Sequence, residues 1–136
     1  MFAEIEKILQ TKFAQAWATR TPIKYPDVAF AVPESQIFVC MNISFGVSVQ
    51  MSIGRGRKIE RQFGVVVIEC FGPANTGKRP VKELADYAAT ALRFKQFKQD
   101  GVTIDCQAAQ FRDVSSGSKF VQGNVIVDFQ ADAFFD

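Results

Sequence analysis

Residues 37–53 read "IFVCMNISFGVSVQMSI", and every odd-numbered position in this stretch is apolar. Most even-numbered positions carry small polar side chains, such as Asn42, Ser44 and Ser48. Because successive side chains of a strand point to opposite faces, this alternation predicts one long, half-buried β-strand. An unbroken strand of this length would run for roughly 55 Å, which exceeds the width of a small domain. We therefore expect a bend or bulge near Gly46, or a far half that projects from the body.

The segments that follow also indicate strands. Residues 62–71, "QFGVVVIECF", are apolar on both faces and predict a central strand. With the basic loop at residues 54–61, "GRGRKIER", the two strands predict a long projecting β-hairpin. Residues 101–114 and 119–135 alternate in the same way and predict two more strands. Phe134 and Phe135 are adjacent, so at least one should be exposed unless another element or subunit covers it.

Two amphipathic stripes predict helices, one over residues 2–19 and one from Pro80 to about residue 98. The second stripe contains Val81, Leu84, Ala88 and Leu92. The predicted fold is therefore a single α+β domain over residues 1–136. It has one antiparallel or mixed sheet of about four strands with two helices packed on one face, in the order α-β-β-α-β-β.

The composition excludes several classes of function. The chain of 136 residues contains no histidine, which removes Ser-His-Asp and Cys-His catalysis and the commonest metal ligand. Its three cysteines, Cys40, Cys70 and Cys106, form no Cys-x-x-Cys pair, so we expect buried, reduced thiols of a cytoplasmic protein. Neither a signal peptide nor a stretch of about 20 apolar residues is visible. We expect no enzymatic activity, catalytic residue, cofactor or metal.

Residues 72–79, "GPANTGKR", resemble a phosphate-binding P-loop, and a nucleotide-binding protein is one alternative interpretation. In a P-loop the lysine is followed by a Ser or Thr that ligates magnesium, whereas Arg79 follows Lys78 here and would repel the metal. Pro80 also removes an N–H from the start of the helix. The stretch is better explained as a turn between a strand and a helix.

The basic residues are candidates for contacts with a partner. Four of them, Arg55, Arg57, Lys58 and Arg61, lie at the predicted hairpin tip, and Lys78 and Arg79 lie in the turn before the second helix. We assign all six to a candidate protein interface. A nucleic-acid-contacting adaptor is a second alternative, but the net charge of +2 is small and no aromatic residue is interleaved in the tip.

Four segments carry a resemblance to a known family: "FAQAWA" at residues 13–18, "TPIKYPDVAFAVPESQIFVCMNI" at 21–43, "RQFGVVVIECFGPANTGKRPVKELADYAATALRF" at 61–94 and "GNVIVDFQADAFF" at 123–135. Together they resemble the tail-terminator and tail-completion proteins (minor tail protein U-like) of long-tailed bacteriophages.

The resemblance implies a small α+β subunit that forms a ring, usually hexameric, which caps the growing tail tube and later presents a surface to the head. The implied partners are further copies of the chain, the tail-tube protein and a head-completion protein. No small-molecule substrate, membrane or nucleic acid is expected. The implied location is the host cytoplasm during assembly and then the virion tail.

Overall fold

The computed structural model describes residues 1–32, 36–51, 56–114 and 119–135. Within these ranges the chain forms two helices and six strands. In chain order they are α1 (Phe2–Trp17), β1 (Ile23–Lys24), β2 (Phe38–Gln50), β3 (Lys58–Pro73), α2 (Arg79–Leu92), β4 (Gln96–Gln99), β5 (Val102–Val114) and β6 (Phe120–Phe135).

The strands form one mixed sheet in the order β1-β2-β3-β6-β5-β4, and this sheet curls into a half-barrel. All its pairings are antiparallel except that of β1 with β2. The predicted fold, with about four strands, two helices packed on one face and the order α-β-β-α-β-β, is therefore wrong. The prediction that the hairpin of β2 and β3 projects from the body is also wrong. Strand β6 pairs with β3 from Pro73 as far as Lys58, so β3 lies within the sheet along its whole length.

There are physical reasons why the sequence pattern does not predict β1 and β4. Strand β1 consists of Ile23 and Lys24 alone, between two prolines, so it shows no periodicity. Strand β4 falls where the predicted second helix continues to about residue 98. The helix ends instead at Leu92, because Phe94 adopts a left-handed backbone conformation with φ of 58°.

A single hydrophobic core joins both helices to alternate residues of the sheet. Helix α1 contributes Ile5, Leu9, Phe13 and Trp17, which are all buried. Helix α2 contributes the predicted stripe, and the buried side chains of β3 include Val66, Ile68 and Cys70. We call the sheet face that carries these three residues the core face, and the opposite face the outer face.

A β-bulge interrupts β2, which confirms the irregularity expected near Gly46. Phe45 lies opposite Gly64, and Ser48 lies opposite Gln62, so that Gly46 and Val47 together oppose a single residue of β3. The extra residue reverses the phase of the strand. Phe45 and Ser48 therefore both point to the core face, and the odd-numbered positions beyond the bulge point to the outer face.

The buried side chain of Gln62 holds the bulge. Its amide nitrogen Nε2 donates hydrogen bonds to the carbonyl oxygens of Gly46 at 2.9 Å and Phe63 at 2.8 Å. Its Oε1 accepts a hydrogen bond from the hydroxyl of Ser48. These contacts satisfy polar groups that the bulge removes from the regular ladder of the sheet.

Candidate functional site

Exposed apolar side chains gather on the outer face at the end of the sheet where β2 turns into β3. The most exposed are Val47, with 68% of its surface accessible, and Phe134, with 53%. We call this set the distal patch, and its members are Val47, Val49, Met51, Phe63 and Phe134. An exposed cluster of large apolar side chains is typical of a protein-interaction site.

The patch surrounds an ion pair that is neutralised within the chain. Arg61 and Asp132 lie opposite each other on β3 and β6. The guanidinium donates two hydrogen bonds to the carboxylate, at 2.8 and 2.9 Å. The hydrogen bond to Asp132 raises the pKa of Arg61, so the arginine keeps its charge. The guanidinium of Arg57 lies 4.8 Å from the ring centroid of Phe134, within cation–π range.

The six predicted interface cations do not form one surface. Among them, Arg55 falls outside the described residues. Arg57, Lys58 and Arg61 lie at the start of β3, whereas Lys78 and Arg79 follow its far end. Since β3 has 16 residues, the two groups are about 50 Å apart along the strand.

Lys78 and Arg79 are both engaged within the chain. The ammonium of Lys78 lies 3.0 Å from a carboxylate oxygen of Asp113 and donates to the carbonyl of Val114 at 3.4 Å. Arg79 is exposed and pairs with Glu83 one turn along the helix. In the stretch that resembles a P-loop, Lys78 thus links the start of α2 to β5 through an ion pair and a hydrogen bond. Gly77 in the same stretch has a φ of 74°, a backbone conformation that favours glycine.

A polar network occupies the outer face farther along the sheet from the distal patch. The carboxylate of Glu69 accepts hydrogen bonds from Asn42 at 2.6 Å and Gln122 at 3.3 Å. The amide of Gln122 also donates to Asn124 at 3.1 Å. The network links β2, β3 and β6 and satisfies its members internally. On the outer face this polar network therefore lies between the distal patch and a second apolar cluster, in which Phe38 packs against other phenylalanine rings.

The three cysteines are free and buried, as the sequence predicts. Burial raises the pKa of the Cys70 and Cys106 thiols from 9.0 to about 12. Above pH 9 the unfolded state releases thiol protons that the folded state still holds. The stability that comes from burying the protonated thiols is therefore complete below pH 9 and is lost as pH rises toward 12.

We therefore expect the free energy of unfolding to fall above pH 9, by up to about 1.4 kcal/mol per pH unit for each of the two thiols. Urea unfolding between pH 8 and 11 measures this slope. Lysines and tyrosines also titrate in this range, so the double variant Cys70→Ala and Cys106→Ala serves as the control. An equal slope in the wild type and the double variant would contradict the assignment to the thiols.

Other kinds of site find no support in the described residues. No group of three or more Cys, Asp or Glu side chains there is placed to hold a metal ion. No helix in the described ranges is long and apolar enough to cross a membrane.

Sequence reasoning missed most of the distal patch. It predicted that at least one of Phe134 and Phe135 is exposed, and both are. It placed Val47, Val49 and Met51 on the apolar side of the alternation at residues 37–53, and Phe63 in a strand that is apolar on both faces. A signal was nevertheless present, because residues 36–54 contain no charged residue at all.

The comparisons with known proteins show the fold alone. No family model and no curated protein matches the sequence. The chain is similar to a solved protein structure whose name states no function, with a TM-score of 0.70 and 12% sequence identity. The similarity covers 93% of this chain and 94% of that one. Another protein of known structure therefore shares most of this fold.

Proposed function

We propose that this protein is a structural subunit of a bacteriophage tail, which assembles into a ring that caps or completes the tail tube and contributes to the head–tail junction. The observation that carries the assembly role is the distal patch, an apolar surface on β2, β3 and β6, of which β2 carries no charge. The phage tail, the ring and its hexameric number come from the sequence resemblance. The same holds for the tail-tube and head-completion partners and for a location in the host cytoplasm and then the virion.

The patch is unusual for a surface that stays in water. Exposed strands are commonly protected by lysines or prolines, which oppose pairing with another chain. Here β2 carries neither from Phe38 to Gln50, and its bulge places Val47 and Val49 on the outer face. Such a surface favours association with a partner that covers it.

The size of the patch indicates how strong that association can be. Fully burying a side chain such as valine or phenylalanine contributes roughly 1.5–3 kcal/mol. The five patch residues are on average about half exposed, so covering each of them would contribute about half of that free energy. Their combined contribution of roughly 5 kcal/mol is comparable with the loss of about 4–15 kcal/mol of rigid-body freedom on association. The patch alone therefore supports weak pairing, and we expect further contacts or the tail tube to stabilise the assembly.

The substitution Val47→Asp tests the role of the patch. It places a charge at the most exposed patch residue, and we expect association to weaken at least about tenfold, since a covered and unpaired carboxylate costs well over 1.4 kcal/mol. Light scattering across protein concentrations, with and without tail-tube protein, measures the association.

The matched control is Val28→Asp, the same change at a valine that is 59% exposed outside the patch. We expect this variant to associate like the wild type. If Val47→Asp also associates like the wild type, the patch is not the contact surface. A wild type that is strictly monomeric and does not bind the tube would contradict the assembly role itself.

A further inference from the structure

Two strands of the sheet have edges that other strands cover only in part. Strand β1 pairs with β2 at Val39 and Cys40 alone, so no described strand lies on the side of β2 away from β3 between Met41 and Val49. Strand β4 pairs with β5 over Val102–Asp105. The backbone of Phe94 and Lys95 covers the next two residues of β5. From Ala108 onward no described strand lies on the side of β5 away from β6. We call these two segments the β2 edge and the β5 edge.

The two edges are complementary in position and direction. They lie on opposite sides of the sheet, and the alternating pairings make β2 and β5 antiparallel. The β2 edge lies toward the distal patch, and the β5 edge lies toward the opposite end. The registers of β2, β3, β6 and β5 place the centre of the β5 edge level with Met41. The centre of the β2 edge lies about four residues farther along the strand, or ~13 Å. The remaining part of each strand is covered within the chain, where β1 pairs with the start of β2 and β4 pairs with the start of β5.

A groove runs beside the β5 edge, where α2 extends over the sheet. It has a volume of about 300 Å³, and Ala85, Ala89, Phe111 and Val125 form its apolar floor. Its charged lining residues are Lys82, Asp86 and Arg93. A strand added to the β5 edge would point its core-facing side chains into this groove. On the β2 edge, Phe45 faces the core side, is 37% exposed and contacts the rings of Phe2 and Phe129 in its own chain, so it can present to the groove only the exposed part of its ring.

We propose that the β2 edge of one subunit pairs antiparallel with the β5 edge of the next, so that one sheet continues from subunit to subunit. This inference rests on the proposed function and specifies the joint of the ring. The occupant is a second copy, because a single chain supplies both edges in the correct direction for antiparallel pairing. The uncharged β2 edge meets no like charge on the β5 edge, whose Arg112 and Asp113 are of opposite sign.

The stagger between the edges fits closure of such an assembly. A contact between two different surfaces of the same chain repeats head to tail and forms a ring when the rotation closes. Closing a sheet on itself requires tilted strands and a staggered register between them. An offset of about four residues at each joint supplies this stagger. The backbone hydrogen bonds of the joint add to the weak apolar contribution of the distal patch.

Engineered disulfides test the joint directly. Four double variants combine Val47→Cys or Val49→Cys on β2 with Gln110→Cys or Arg112→Cys on β5, so that three neighbouring registers are sampled. All four side chains lie on the outer face. Two strands separate β2 from β5 within a chain, so their Cα atoms are too far apart for a disulfide inside one subunit. The native cysteines are buried and do not compete.

We expect oxidation of the assembled full chain to give a ladder of covalent multimers from at least one double variant, seen by non-reducing electrophoresis. Each single variant alone should give no ladder and no dimer. The pair Val28→Cys and Gln110→Cys is the control, and it should give no ladder either. Light scattering under reducing conditions establishes assembly before oxidation, and circular dichroism establishes folding.

Two results would overturn the joint while leaving the proposed function intact. One is an assembly that forms normally but gives no ladder from any of the four pairs. The other is a dimer from the β2 variant alone, which would indicate a symmetric contact between two β2 edges. A wild type that never assembles, with or without tail-tube protein, would overturn both the joint and the proposed function.

Discussion

Replacing Gly64 with alanine is expected to lower the free energy of unfolding by roughly 3 kcal/mol, the upper part of the range for overpacking a core. A Cβ atom at this position would lie 2.3 Å from Cζ of Phe129 and 2.7 Å from the carbonyl oxygen of Ser44. The Phe129 ring is buried and makes an edge contact with Phe45, so it has little room to move. The carbonyl belongs to the paired backbone of β2 and cannot rotate away.

Urea unfolding measures this loss, and Gly46→Ala is the matched control. A Cβ at Gly46 would meet its nearest neighbour, the carbonyl oxygen of Phe63, at 3.5 Å, which is an ordinary contact. We expect the control to change stability by less than about 1 kcal/mol. A Gly64→Ala protein as stable as the control would show that Phe129 does not pack against this glycine as described.

Replacing Gln62 with leucine is expected to cost roughly 2–4 kcal/mol, because it removes the buried amide that holds the β2 bulge. Leucine fills a similar volume, but the carbonyls of Gly46 and Phe63 would lose their donor. A weakened bulge should also allow faster amide hydrogen exchange at residues 46–48. Urea unfolding and hydrogen exchange measured by mass spectrometry test the two effects.

Gln107→Leu provides the comparison, since it makes the same change at an exposed strand position. We expect this variant to stay within about 0.5 kcal/mol of the wild type. If Gln62→Leu is equally stable and its residues 46–48 exchange at the wild-type rate, Gln62 does not hold the bulge. The bulge matters for assembly because it sets the face to which Val47 and Val49 point.

The sequence predicted the long strands and the buried stripes of both helices, because these follow from local periodicity. It also located the irregularity near Gly46, since an unbroken strand would be too long for the domain. It could not show that the bulge reverses the strand's phase, because the apolar alternation continues through residues 45–51 without a break. The same residue types therefore lie in the core before the bulge and on the surface after it.

The short strands and the ion pairs depend on distant parts of the chain. Strand β4 was hidden because the predicted second helix continued to about residue 98, whereas the left-handed backbone of Phe94 follows a helix that ends at Leu92. The partner of Arg61 is 71 residues away, and that of Lys78 is 35 residues away. No local pattern indicates such pairs, so the sequence presented both cations as available for a partner. The structure instead points to apolar residues as the candidate contact surface.

Electron microscopy of tail-tube protein polymerised in the presence of this protein tests the proposed function most directly. A subunit that caps the tube should appear as a ring at one end, and tubes should become shorter as the ratio of this protein to tube protein rises. The Val47→Asp variant should lose both effects, whereas Val28→Asp should keep them. Bare tube ends, together with a length distribution that does not change with added protein, would contradict the account.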